Sequence, residues 1–196
     1  MTAGNRAGDR ASAGHGPGGT SARGIPRGVI EPVVIGLGGN VGTDAEILER
    51  FGHARVALGA LGGVRSAPLY RSAPVGPAQA AFLNTAVCVV FIDPRPPPGE
   101  LIAMLLELER LLGRTRAVEA RWGPRRIDLD VLVWGARIVR TPELRVPHPR
   151  LAERKFALAP LVALLGEGFV VPGLAPAGEL VRRVAAQDCE EIAATW

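Results

Sequence analysis

The chain has 196 residues, 47% apolar and 21% charged, which is enough length and apolar content to bury one core as a single domain and excludes a wholly disordered chain. No stretch approaches the roughly 18 to 20 uninterrupted apolar residues of a membrane span, and the N-terminal residues lack the apolar run of a secretory signal, so a soluble, cytoplasmic protein is expected. The net charge of +4 invites a nucleic-acid reading, but Arg6, Arg10, Arg23 and Arg27 against Asp9 place +3 of it in the first 30 residues and leave the rest close to neutral.

Residues 1–30 hold eight glycines among Ser, Ala, Pro and Arg with no apolar periodicity, and nothing there offsets the entropy of ordering them. A disordered tail is expected, followed by one domain over residues 31–196. Residues 32–37 read as a short buried strand running into a glycine turn at 36–40. Thr43 and Glu46 form a capping-box pattern for a helix whose apolar stripe is Ile47, Phe51, Ala54, Leu58 and Leu61, ended by Gly62 and Gly63. Residues 64–70 read as a second strand, the Pro- and Gly-rich residues 71–77 as a loop, and residues 82–92 as a strong third strand. Cys88 lies in that third strand as a buried thiol, and neither it nor Cys189 carries functional information.

After a proline-rich stop at 93–98, a second helix buries Leu101, Leu105, Leu108 and Leu112 and is capped by Gly113. Between Arg110 and Arg126 six arginines accompany one acid, Glu119, in an aperiodic basic loop that includes Trp122-Gly-Pro124. Residues 127–134 alternate as a strand: Ile127, Leu129, Val131 and Val133 take one face, Asp128 and Asp130 the other. Gly135-Ala136 offers a turn into a hairpin with residues 137–140. Residues 146–150 form a rigid extended loop, and helices are expected near 152–165 and 177–186. The order βαββαβ predicts a ferredoxin-like α+β core with a mainly antiparallel sheet in three-layer α/β/α packing, and an additional hairpin and helices at the C-terminal end.

Asp128 and Asp130 are the sharpest chemical signal, because alternate residues on one strand face let both carboxylates reach one hard cation. On spacing alone a solvated strand face is an equal reading. The adjoining arginines tip the balance, since opposite charges converging on one point favour a phosphate-bearing ligand. Arg114, Arg116, Arg121, Arg125 and Arg126 alone serve equally as surface charge or a nucleic-acid footprint. Trp122 among them argues for a loop that closes over something flat. The glycines at 36, 38, 39 and 42 miss the dinucleotide spacing, and no Gly-Lys-Ser or Gly-Lys-Thr of a P-loop exists. His148 between two prolines serves a loop or contacts a phosphate. Phe82 and Asn84 share a strand face, as core residues or as an aromatic plate beside a pairing amide.

As a set these residues resemble the 6-hydroxymethyl-7,8-dihydropterin pyrophosphokinases of folate biosynthesis. The resemblance rests on Gly38-Gly-Asn40, Tyr70-Arg-Ser-Ala-Pro-Val-Gly-Pro77, Phe82-Leu-Asn84, Glu109 with Leu-Leu-Gly-Arg114, Arg121-Trp-Gly-Pro-Arg125, Ile127-Asp-Leu-Asp130, Val146-Pro-His148 and Arg154-Lys-Phe156. These motifs occur in the family's order over about residues 33–172, and the Arg121-to-Asp130 stretch is the most specific. The resemblance implies pyrophosphoryl transfer from ATP to the hydroxymethyl oxygen of the pterin, with AMP released and two Mg²⁺ ions held by Asp128 and Asp130. It assigns catalysis to Arg114, Arg125, Asp128 and Asp130. It assigns nucleotide binding to Glu109, Arg116, Arg121, Trp122, Arg125, Val131, His148 and Arg154, and the pterin pocket to Ser72, Ala73, Val75, Phe82, Asn84, Trp122 and Phe156. In that pocket Phe82 and Phe156 would sandwich the ring and Asn84 would read its edge. Departures are Gly39 for the usual serine, Ser72 for a common threonine, and a slightly longer segment from Gly113 to Trp122. ATP and the pterin are the expected partners of a monomer, with no nucleic acid and no membrane. A nucleic-acid-binding ferredoxin-like module is the rival, disfavoured because two carboxylates aimed at the basic loop would repel phosphates without a metal.

Overall fold

The run Val33-Val-Ile35 is apolar on both faces, as suits a strand covered from both sides, and β1 (Val33–Gly39) is such a strand. The computed structural model describes residues 31–115 and 123–196; the expected tail of residues 1–30 and the candidates Arg116, Arg121 and Trp122 lie outside them. β1 lies between β4 (Phe82–Phe91) and β5 (Asp128–Trp134), antiparallel to both. Val33, Ile35 and Leu37 face one core layer with α1 (Asp44–Gly59) and α2 (Pro98–Leu111). Val34 faces a second layer with α3 (Lys155–Leu165) and α4 (Ala177–Arg183). The expected three-layer α/β/α packing is present, and the expected βαββαβ order becomes βαβββαβ because its second strand is split into β2 (Gly62–Ser66) and β3 (Leu69–Ser72); with β8 (Cys189–Ala193) the antiparallel sheet is ordered β5-β1-β4-β3-β8, with β2 also on β4.

The first helix starts where its cap dictates. Thr43 Oγ1 accepts the Glu46 N–H at 3.3 Å, the Glu46 carboxylate accepts the Thr43 N–H at 2.7 Å, and Ile47, Phe51, Ala54 and Leu58 are buried. Gly62 and Gly63 do not end this helix as expected; they open β2 (Gly62–Ser66). The single strand expected over residues 64–70 is two strands, β2 and β3 (Leu69–Ser72), broken at Ala67-Pro68. Proline has no N–H for the ladder, and Thr85 Oγ1 instead donates to the carbonyls of Ala67 and Pro68.

Two further expectations are corrected. Ile127, Leu129 and Val131 share the α1/α2 face, but Val133 does not: the β5 register slips so that Val34 pairs with Val133 and Ile35 with Val131. Leu132 is bulged, Leu132 and Val133 face α3, and Trp134 takes the other side. The segment after Gly135 does not fold back on β5. β6 (Val139–Arg140) pairs with β7 (Arg145–Val146), because Arg137 is drawn to Glu31 at 2.7 Å and over the Trp134 ring at 5.2 Å. The free edge of β5 is met by the His148 N–H, which donates to the Leu132 carbonyl at 2.9 Å. β8 (Cys189–Ala193), unread in the sequence, pairs with β3, its polar Glu190-Glu191 suiting a sheet edge. Cys88 is buried, and both cysteines are free thiols.

Candidate active site

Strand register lays the floor of a cleft on the α3 side of the sheet. One row across the sheet runs Tyr70, Asn84, Gly38, Asp128, and the next runs Ala86, Gly36, Asp130. Because Gly36 and Gly38 have no side chains, the two aspartates and Asn84 face each other over bare backbone; a Cβ at Gly36 would stand 3.2 Å from a Leu132 methyl. Ala73 and Val75 after β3, the Gly123–Arg125 segment, His148, Arg154 and Phe156 raise the walls of a cleft open to solvent.

One half of this cleft is aromatic and amide. Phe82 and Phe156 line it, and Asn84, 4% exposed, is fixed by donating from Nδ2 to Ser72 Oγ at 2.9 Å. The Ser72 hydroxyl at the end of β3 thus orients a buried amide whose edge faces the cavity.

The other half is charged. Arg114, itself buried, donates to Glu109 Oε1 at 2.7 Å and to Asp128 Oδ1; Arg125 donates to Asp128 Oδ2. Burial alone would raise the Asp128 carboxyl, but Arg114 and Arg125 together outweigh it and hold Asp128 below the usual carboxylate range. Asp130 is set deep in the cleft with solvent still in reach; burial first, and then the Asp128 charge, push it up to about 6. His148 Nε2 lies 3.8 Å from Asp130 Oδ2, while Nδ1 accepts the Arg150 N–H at 3.1 Å. Burial and then Arg154 push this imidazole down to about 4, so a neutral ring carries its proton on Nε2, toward Asp130. Arg154 stands 5.5 Å over the Phe156 ring, with its buried Nε unpaired among the described residues.

The structure brings Ser72, Ala73, Val75, Phe82, Asn84, Arg125, Asp128, Asp130, His148, Arg154 and Phe156 to this one cleft. Arg114 and Glu109 lie beneath it: Glu109 is 1% exposed, and its carboxylate is taken by Arg114 and by the Leu129 N–H at 2.7 Å. The Val131 side chain faces the α1/α2 core, opposite Asp130, so no ligand in the cleft meets it, and only its backbone is left to the nucleotide role expected of it. Gly36, Leu37, Gly38, Thr85, Gly123, Leu132 and Ala157 also line the cleft and were not assigned to it from the sequence. Continuing the period of two from Val34 through β1 finds the two glycines; the bulge that sets Leu132 has no comparable signal.

The family model described as 7,8-dihydro-6-hydroxymethylpterin-pyrophosphokinase (HPPK) matches residues 34–166. The 2-amino-4-hydroxy-6-hydroxymethyldihydropteridine pyrophosphokinase of Bacillus subtilis is 40% identical over 136 residues, 66% of this chain and 75% of that protein. Its namesake in Methylorubrum extorquens is 37% identical over 154 residues, 78% of this chain and 90% of that protein. The mitochondrial folate synthesis bifunctional protein of Pisum sativum is 44% identical over 140 residues, and there the chain spans only 25% of the relative's length. Among solved structures, the Plasmodium falciparum HPPK-DHPS with pteroate superposes with a TM-score of 0.57 at 12% identity, over 80% of this chain and 44% of that one, a likeness of fold.

Proposed function

Because the chain belongs to the 7,8-dihydro-6-hydroxymethylpterin-pyrophosphokinase family, we propose that it transfers pyrophosphate from ATP to the hydroxymethyl group of 6-hydroxymethyl-7,8-dihydropterin, giving AMP and the pterin diphosphate, a step of tetrahydrofolate biosynthesis. The observation that carries this reading is the division of one cleft into an aromatic–amide half and a carboxylate–cation half. The first half fits a flat heterocycle with a donor–acceptor edge, stacked on Phe82 and Phe156 and read by Asn84. The second half fits a polyphosphate.

In this reading the hydroxymethyl oxygen forms its bond to the β-phosphorus and gives up its proton to solvent, the bond to the α,β-bridging oxygen breaks, and AMP leaves with the electron pair. The residues act by position and charge. Asn84 and the aromatic pair aim the hydroxymethyl group at the charged half. Arg125 and Arg154 offer guanidinium groups to charge developing on the transferred phosphoryl oxygens, and His148 offers its Nε2–H. Glu109 and Arg114, expected to bind nucleotide and to act in catalysis, lie beneath the cleft and not on its lining, and we assign them as positioning residues, since their buried pair holds Asp128 from below. Arg116, Arg121 and Trp122 keep their expected roles in ATP and pterin binding as part of this proposal.

The donor set fits Mg²⁺. Asp128 and Asp130 stand on one strand face as a pair of carboxylates, oxygen donors that suit a hard cation completing its shell with water and phosphate oxygens. We assign two Mg²⁺ ions to these carboxylates; when bound they neutralise phosphate charge and orient the triphosphate.

The proposal extends to a single pyrophosphokinase domain over residues 31–196, acting as a cytoplasmic monomer without nucleic-acid or membrane partners. No described helix is long and apolar enough to cross a membrane. Calorimetric titration with 6-hydroxymethyl-7,8-dihydropterin tests the assignment of the aromatic half. The wild-type chain binds it, and Asn84→Ala weakens binding by about tenfold or more, the loss of a paired polar edge. A wild-type protein that stays folded and binds no pterin overturns the reading.

A further inference from the structure

The glycines expected to form a turn at 36–40 instead continue β1 to Gly39, so Gly38 lies on the cleft floor, while Asn40 just after the strand lines no part of the cleft and is only 5% exposed. Its side-chain amide is engaged at both ends. Oδ1 accepts the backbone N–H of Arg125 at 2.8 Å; Nδ2 donates to Gln79 Oε1 at 3.0 Å and to the Ala80 carbonyl at 3.1 Å. The backbone N–H of Asn40 donates to the Arg125 carbonyl at 2.9 Å, and that of Val41 to the same oxygen at 3.2 Å. One residue therefore joins the loop over residues 73–81, which carries Ala73 and Val75 of the aromatic half, to the segment that places Arg125 in the charged half.

The contact has little slack. The Arg126 carbonyl oxygen lies 2.8 Å from where a Cβ on residue 39 would stand, so with glycine here the two segments sit closer than they could with the usual serine, and it also accepts Arg50 Nε at 3.0 Å. A shift of either segment must be taken up at Asn40. A planar amide with an acceptor on one side and a donor on the other is what such a joint requires; a carboxylate supplies the acceptor alone.

We infer that Asn40 is a positioning residue that couples the two halves of the cleft, so that a ligand in the aromatic half favours the placement of Arg125 and a ligand in the charged half favours the loop at 73–81. The inference rests on the reaction proposed above, and coupling of this kind is reciprocal by thermodynamic necessity.

The test titrates the full chain with 6-hydroxymethyl-7,8-dihydropterin, without and with a non-hydrolysable ATP analogue and Mg²⁺. In the wild type the analogue tightens pterin binding by about tenfold or more. In Asn40→Ala and Asn40→Asp that ratio falls to within about twofold of one, while thermal unfolding stays cooperative. The Asp variant keeps an acceptor for the Arg125 N–H and loses the donor to Gln79 and Ala80, so anchoring of Arg125 alone would leave its ratio at the wild-type value. Gln79→Ala, in a surface loop, lowers the ratio partway and covers the case in which the Asn40 variants do not fold. A ratio of one in the wild type, or a wild-type ratio in Asn40→Asp or Gln79→Ala, overturns the inference with the proposed reaction intact. A folded wild type that binds neither ligand overturns both.

Discussion

Asp128 and Asp130 are two residues apart on one strand face, yet they hold their protons with opposite strengths: among the described residues two arginines are bonded to Asp128, while burial and the Asp128 charge raise Asp130. The consequences for substitution differ. Asp130→Asn removes a charge that the folded cleft disfavours, so catalysis should be lost while the melting temperature is unchanged or raised. From the sequence alone Asp128→Ala also leaves the fold untouched, since it opens no core. The structure changes that expectation: Asp128 is a counter-ion of buried Arg114, and Asp128→Ala should cost about 1–3 kcal/mol of stability in denaturant titrations in addition to activity. Metal binding should show the same asymmetry in pH. With Asp130 pushed up to about 6 and His148 down to about 4, the ligand-free protein should take up a proton on Asp130 below a pH of about 6 while His148 stays neutral through that window. Mg²⁺ affinity measured by calorimetry should therefore fall as pH drops through about 6, with a proton released on binding; an affinity flat from pH 7 to 5 would remove Asp130 from the metal site.

The helix α1 has a local signature and a local test. Its capping box is spelled by Thr43 and Glu46 in the sequence and formed in the structure, so Thr43→Ala should lower stability by about 1 kcal/mol with kinetic constants unaffected. A change in pterin KM would show that this helix end reaches the site. Elements written in local pattern were legible in the same way: the buried run of β1, the stripe of α1, the alternation that put both aspartates on one face of β5, and the glycine after α2. What was not legible is set by partners distant in sequence. The break at Pro68 is filled by the Thr85 hydroxyl, the bulge at Leu132 depends on register against β1, and Arg137 leaves β5 because Glu31 draws it away. The site divides likewise. Phe82, Asn84 and the aspartates follow from a period of two, whereas the burial of Glu109 beneath Asp128 and the joint at Asn40 exist only once four segments meet.

The whole molecule places its chemistry where one layer of helices leaves the sheet. Two helix layers bury both faces of β1, and the floor of the cleft is drawn from β3, β4, β1 and β5 through ladder pairing, so the distance between the amide and the carboxylates is held by the sheet. The parts expected to yield to ligands are the loops around it, tied together at Asn40. Such an arrangement suits transfer between two substrates that must be held in line, each in its own half of one cleft. The direct test is to incubate the purified chain with ATP, Mg²⁺ and 6-hydroxymethyl-7,8-dihydropterin and quantify AMP, ADP and the pterin product. The proposed reaction gives AMP in equal amount with pterin diphosphate, formed only when metal is present. ADP as the nucleotide product, or ATP and pterin left intact by a folded protein, would contradict it.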